Sequence, residues 1–196
     1  SEEEQGKIGK QVETKLKKKI STGKASAEEY IFMSIGENSQ TRKNYFGKGI
    51  SLLEKRNPQG IEALLFVQWL FYYAPSQNEN DNTYLNYLNK AKAIVDRNLS
   101  HAQKALSINE FMLLISEMEK AKSDTEGLNI TKKLGKFDRQ QAEAFQWFMF
   151  AVMISVRKAE IYERLDLPQK AREEYLYLCR IFKDDNACKN AERLKK

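Results

Sequence analysis

His101 is the chain's one histidine, set in a polar stretch between Ser100 and Gln103. A lone imidazole cannot build a His-pair metal centre, and no Glu-x-x-His motif of a di-iron bundle accompanies it. His101 is therefore expected to be a surface helix residue. Gly47-Lys48-Gly49 lacks both the spacing of a phosphate-cradling loop and a strand before it. Asn78-Glu79-Asn80-Asp81-Asn82 opens like an EF-hand loop, but Thr83 stands where that loop needs Gly and Asn89 where it needs Glu. Asn98-Leu99-Ser100 and Asn129-Ile130-Thr131 fit the glycosylation sequon, a match that an Asn-rich chain also produces by chance. Catalysis requires convergent polar groups with tuned pKa values, and no spacing here provides them. No enzyme activity, cofactor, metal or small-molecule substrate is expected.

Cys179 and Cys188 are too few and too far apart for a zinc site. They flank Lys183-Asp184, the centre of an expected turn between two helices, at nearly equal distances. That symmetry suits the ~5.5–6 Å Cα separation of a disulfide. The alternative is a pair of reduced core thiols in a cytosolic protein. We expect the disulfide, and with it a periplasmic or otherwise exported protein rather than a cytoplasmic one. The chain starts Ser1-Glu2-Glu3-Glu4 without Met, as a mature or truncated form with its signal peptide removed would.

The formal charge of +6 is unevenly spread. Residues 1–24 hold seven Lys against four Glu, and residues 128–139 hold four cations against Asp138. Lys15, Lys17, Lys18 and Lys19 form the one tight basic cluster, and no aromatic residue stands among them. Nucleic-acid proteins interleave cations with stacking aromatics, so this cluster reads as a solvated tail and no nucleic-acid partner is expected. No apolar run reaches the ~18 residues of a membrane span. The aromatic surplus of nine Tyr, ten Phe and two Trp exceeds what one buried stripe accommodates. Tyr and Trp left at a surface favour protein contacts. Tyr84 and Tyr87 are the expected anchors, with Lys132, Lys133 and Lys136 in a long loop as steering charges.

Helices must position these groups. Three prolines and nine glycines are too few for the turns of a multi-stranded sheet. Residues 1–24 carry Ile8, Val12, Leu16 and Ile20 on one narrow stripe, the mark of a flexible or conditionally helical segment. A single all-helical domain then covers 25–196. Ser26 to Glu29 and Ser107 to Glu110 are capping boxes, and Gly36 is a stop. A helix is expected from Thr41 to Arg56, and another from Asn57-Pro58 to Tyr73, apolar nearly all round and central to the core. Residues 76–82 form a polar loop, followed by Tyr84, Leu88, Ala91 and Val95 at helical spacing. Residues 123–137, with two glycines and three lysines, are expected to be the longest connection. Asp138 with Gln141 opens the longest helix, to about Leu165. Pro168 opens the next, to Phe182, and a cap helix spans 186–195. The fold class is all-α, a stack of antiparallel helix pairs.

Ala159, Tyr162, the break Leu165-Asp166-Leu167-Pro168, then Ala171, Tyr175 and Leu178 resemble one tetratricopeptide repeat, at about 155–182. The family's glycine before the turn is absent, with Leu165-Asp166 in its place. The resemblance implies small residues at a close helix crossing and an adaptor that grips a peptide or protein tail. The whole chain also resembles the spirochaete flagellar-coiling proteins in its size, its Lys/Asn/Phe/Tyr-rich composition, its acidic start and its all-helical plan. That likeness implies a periplasmic, non-enzymatic protein that coats a flagellar filament, with filament or sheath subunits or copies of itself as partners.

Overall fold

The computed structural model describes residues 2–35, 39–74, 81–121 and 123–195, though not the side chains of 2–9, 39, 81 and 124. Among these residues there are ten helices and no strand. They are α1 (Glu2–Ser21), α2 (Ala27–Ser34), α3 (Ser39–Arg56), α4 (Gly60–Tyr72) and α5 (Asp81–Ala105). They continue as α6 (Ile108–Lys120), α7 (Asp124–Leu134), α8 (Arg139–Arg164), α9 (Pro168–Phe182) and α10 (Asp185–Arg193). The protein is all-α.

Helix starts are written locally. Ser26 with Glu29, Ser107 with Glu110, Ser123 with Glu126 and Asp138 with Gln141 each close a reciprocal capping box. Each satisfies two backbone donors that a helix start leaves unpaired, and losing such a cap costs about 1 kcal/mol. Pro168 takes the first position of α9, where its missing N–H costs nothing. Asp184 caps α10 by accepting from the backbone N–H groups of Asn186 and Ala187.

The two longest helices, α5 and α8, lie along each other and form the spine. Helix α4 packs on α5, α9 packs on α8, and α10 packs on α9. Helices α2 and α3 pair at the N-terminal side of the spine. The inward stripe of α5 (Tyr84, Leu88, Ala91, Val95 and Ala102) is buried throughout. Phe111 of α6 meets Phe145 and Phe148 of α8 and Phe182 of α9 at ring-centre distances of 5.4, 5.3 and 5.8 Å, all edge to face. Such pairs add about 0.5–1.5 kcal/mol each beyond area burial.

Three expectations are corrected here. Asn57-Pro58 does not start α4. Asn57 takes a left-handed φ of 50° and its N–H bonds to the Glu54 carbonyl, so the dipeptide ends α3. Asn tolerates that conformation, and Pro commonly follows a helix end; Gln59 is the N-cap of α4. Residues 123–137 are not one long connection, because 124–134 form α7. And α4 is not central on every side: Ala63, Phe66, Val67 and Leu70 are buried, whereas Ile61, Leu65 and Tyr72 are exposed. The stop at Gly36 and residues 76–80 of the polar loop lie outside the described residues, while 81 and 82 already belong to α5. The 1–24 segment contains a helix, α1, exposed along Lys10–Lys15 and Lys17–Lys19.

Candidate functional site

Two regions hold the residues singled out by sequence, and a third was not foreseen. The first is the C-terminal helix trio. Lys183 adopts a left-handed φ of 56° between α9 and α10, which turns the chain sharply. Cys179 and Cys188 then face each other across the turn, Cα to Cα 4.8 Å, with their sulfurs at disulfide distance. Where α8 and α9 cross, Ala159 and Ala171 are fully buried, as small residues at a close approach must be. Lys158 and Glu174, both nearly closed to solvent, pair directly between the two helices. The Tyr175 hydroxyl donates to Glu163 at 2.8 Å, and Arg193 of α10 reaches the same carboxylate at 2.8 Å. Burial and the bond to Glu163 push the Tyr175 phenol up to about 12. Burial opposes the ionised form of Glu163, but Arg193 and Tyr175 outweigh it and hold that carboxyl below its ordinary range.

The second region is the α6–α7 corner. Lys132 and Lys133 stand in the last turn of α7 and Lys136 just beyond it, all three exposed. Lys133 binds Glu117 of α6 at 2.7 Å, so one of the three steering charges is engaged within the chain. Tyr84 and Tyr87 do not accompany them. Tyr84 is a core residue: its hydroxyl donates to the Phe71 carbonyl at 2.8 Å, and the Arg157 guanidinium lies 5.9 Å from its ring centre. Tyr87 is half-buried, edge-on to Phe46 at 5.2 Å. Burial raises both phenols above their ordinary pKa. Neither ring is a free surface anchor, because α5 turns its apolar stripe inward and both lie near that stripe. His101 is exposed on α5. Ser155 and Lys158 share one face of α8, but both are buried away from any incoming substrate.

The third region is the surface where α2 meets α4. Ile61, Leu65, Trp69 and Tyr72 recur on one side of α4, opposite its buried face. Beside them, at the end of α2, Phe32 and Ile35 are 61% and 51% exposed. Ile31 and Phe32 of α2 with its C-cap Ile35, and Trp69 of α4 with its C-cap Tyr73, line a groove of about 320 Å³, with Glu28 also on its wall. Single exposed apolar residues are ordinary, but a contiguous apolar groove is a candidate contact surface. Sequence reading missed it because an all-round apolar helix looks central. The available signal was surplus: α4 has more large apolar side chains than one helix face can bury.

No protein-family model, no curated protein and no solved structure matched the chain. None of the helices described is long and apolar enough to cross a membrane.

Proposed function

We propose that this protein is a non-enzymatic structural or scaffold component that works through protein–protein contacts. The reading extends to an exported, periplasmic setting and to a flagellar filament sheath or similar assembly. The observation that carries the contact role is the apolar α2–α4 groove, since exposed aromatics and aliphatics grouped in a concavity are what interface cores are made of. The placement of Cys179 and Cys188 favours an oxidising compartment. The exposed cations of α1 and α7 would steer the protein onto an acidic partner and set its on-rate.

A tetratricopeptide-type adaptor is the second reading, favoured by the small-residue crossing of α8 and α9 at Ala159 and Ala171. Fractionation of the source cells and co-sedimentation with their isolated filaments decide between them. Stoichiometric co-sedimentation from a periplasmic fraction supports the scaffold. Tight binding of short extended peptides with no filament binding supports the adaptor. A cytoplasmic protein with two free thiols, or turnover of a small molecule, rejects the scaffold reading.

A further inference from the structure

The last helix is held in place mainly by its disulfide. Helix α10 has 9 residues, and a helix shorter than ~12–15 residues is marginal on its own. It therefore depends on α9, the helix it packs against. The apolar part of that contact is small. The side chains that α10 buries are those of Ala187 and Ala191, and an alanine takes little apolar surface out of water.

The polar ties are also modest. The Asp184 carboxylate accepts from the N–H groups of Asn186 and Ala187, which starts α10 but does not fasten it to α9. Farther along, the Arg172 Nε–H of α9 donates to the Ala191 carbonyl at 3.1 Å, and Arg193 reaches Glu163 of α8 at 2.8 Å. Arg193 is exposed, and an ion pair in contact with water contributes little. The covalent tie remains: Cys179 of α9 and Cys188 of α10, with Cα atoms 4.8 Å apart. Both cysteines are part-exposed rather than closed in the core, and access is one of the conditions for thiol exchange.

The contact between α8 and α9 is built without α10. Ala159 and Ala171 are buried where the two helices cross, Lys158 pairs with Glu174, and the Tyr175 hydroxyl donates to Glu163. We infer that the Cys179–Cys188 disulfide is a redox latch: reduced by a dithiol, it lets α10 leave α9 while α8 and α9 stay together. What opens is the face of α9 that carries Arg172, Leu176 and Cys179 at helical spacing. In the exchange, a thiolate of the dithiol attacks one cystine sulfur and forms a mixed disulfide, releasing the other cysteine as a thiolate. The second thiol of the reductant then displaces the first cysteine. One S–S bond breaks in the protein and one forms in the reductant, and two electrons and two protons pass to the cysteines. The latch is closed in an oxidising compartment and does not depend on the contact function proposed above.

Amide hydrogen exchange of the full chain tests it, with and without dithiothreitol and with thiols counted in parallel. Purified without reductant, the protein should show no free thiol and slow exchange in α10. Under native conditions dithiothreitol should yield two thiols and speed exchange in α10 by about 10–100-fold, the range that loss of a short cross-linked loop allows. Helices α8 and α9 should keep their protection, and reoxidation should restore that of α10. Cys179→Ser with Cys188→Ser should exchange like the reduced protein with or without dithiothreitol, which separates loss of the bond from other effects of the reductant. Unchanged exchange in α10 on reduction overturns the latch, as does equal acceleration of α8, α9 and α10, which would make the bond a support of the whole trio. Two free thiols before reduction, or a disulfide that dithiothreitol opens only in denaturant, also overturns it.

Discussion

The two sides of the spine dispose of their large side chains differently. On the C-terminal side, Tyr175, Leu178 and Phe182 of α9 are buried, Lys158 pairs with Glu174 and Tyr175 with Glu163 between α8 and α9, and two cysteines lie at bonding distance. On the N-terminal side, α4 buries one face and leaves the other, with Ile61, Leu65 and Tyr72, in contact with water. Both sides have the apolar periodicity of a packed helix. The difference is the number of neighbouring helices: α8 lies between α5 and α9, whereas α4 has α5 and the edge of α8 on one side and little on the other. An apolar stripe therefore says that something covers a helix face, but not that the same chain does.

The sharpest way to break this comparison uses two adjacent residues of α4. Phe66 is 3% exposed and Leu65 is 43% exposed. Phe66→Ala should cost about 3–5 kcal/mol, from lost transfer energy plus a cavity. Leu65→Ala should fall within about 0.5 kcal/mol of the wild type, as surface changes do. Urea denaturation of both variants measures the gap. Equal losses would mean that α4 is covered on both faces.

The buried pair on the other side gives the next largest effect. Lys158→Met removes the cation from Glu174, whose second carboxylate oxygen already lacks a hydrogen-bond partner. A buried charge left without its counter-ion should destabilise by about 3–5 kcal/mol. Replacing both residues with apolar ones of similar volume should recover most of that loss. If the single variant melts with the wild type, the α8–α9 crossing is wetter than the buried state of these side chains implies.

Reduction of the Cys179–Cys188 pair comes third. The cross-link closes a loop with a sequence separation of 9, so it removes little chain entropy and should contribute at most ~3 kcal/mol. Thiol labelling of the unfolded but unreduced protein should find no free cysteine. Two labelled thiols would show a reduced pair and remove the argument for export.

Close approach on the N-terminal side can be tested at Gly49. A Cβ there would sit 2.6 Å from Ile31 Cγ1 and 2.8 Å from the Ala27 carbonyl oxygen. Gly49→Ala should thus force α2 and α3 apart at a cost of about 1–3 kcal/mol. The ~0.8–1.0 kcal/mol of helix propensity that Ala brings offsets part of it. A more stable variant would show that the α2–α3 pair yields easily, which would deepen the contrast between the two sides.

What was legible in the sequence follows from how local each signal is. Ser26 with Glu29, Ser107 with Glu110, Asp138 with Gln141 and Pro168 mark helix starts by themselves, and all four helices begin there. The same signal at Ser123 with Glu126 was present but masked by Gly127, Gly135 and three lysines, which suggest a loop. Asn57-Pro58 is ambiguous because a left-handed Asn followed by Pro ends a helix as readily as Asn-Pro starts one. The groove and the burial of Tyr84 are not local properties. Both depend on which neighbours stand beside α4 and α5, which periodicity alone does not specify.

The smallest expected effect is a titration within the C-terminal trio. Burial and the bond to Glu163 raise the Tyr175 phenol to about 12, against an ordinary value of 10. Between those values the unfolded chain ionises this tyrosine while the folded protein keeps it protonated. The folded state therefore binds the extra proton, and stability falls as pH rises. The contribution of Tyr175 is complete below pH 10 and fades from about 10 to 12. Glu163 acts in the opposite sense at low pH: its depressed carboxyl supports folding above the ordinary carboxylate range and loses that role as acid protonates it. Tyr175→Phe should lower the neutral melting temperature modestly, through loss of the hydrogen bond to Glu163, and flatten the alkaline limb of the stability–pH curve. Glu163→Gln should flatten the acid limb, because the ion pair with Arg193 is lost, and should lower the Tyr175 pKa towards 10, visible in tyrosinate absorbance. An alkaline limb of unchanged slope in Tyr175→Phe would assign that limb to other groups, such as Tyr177, whose phenol burial and Asp96 also raise.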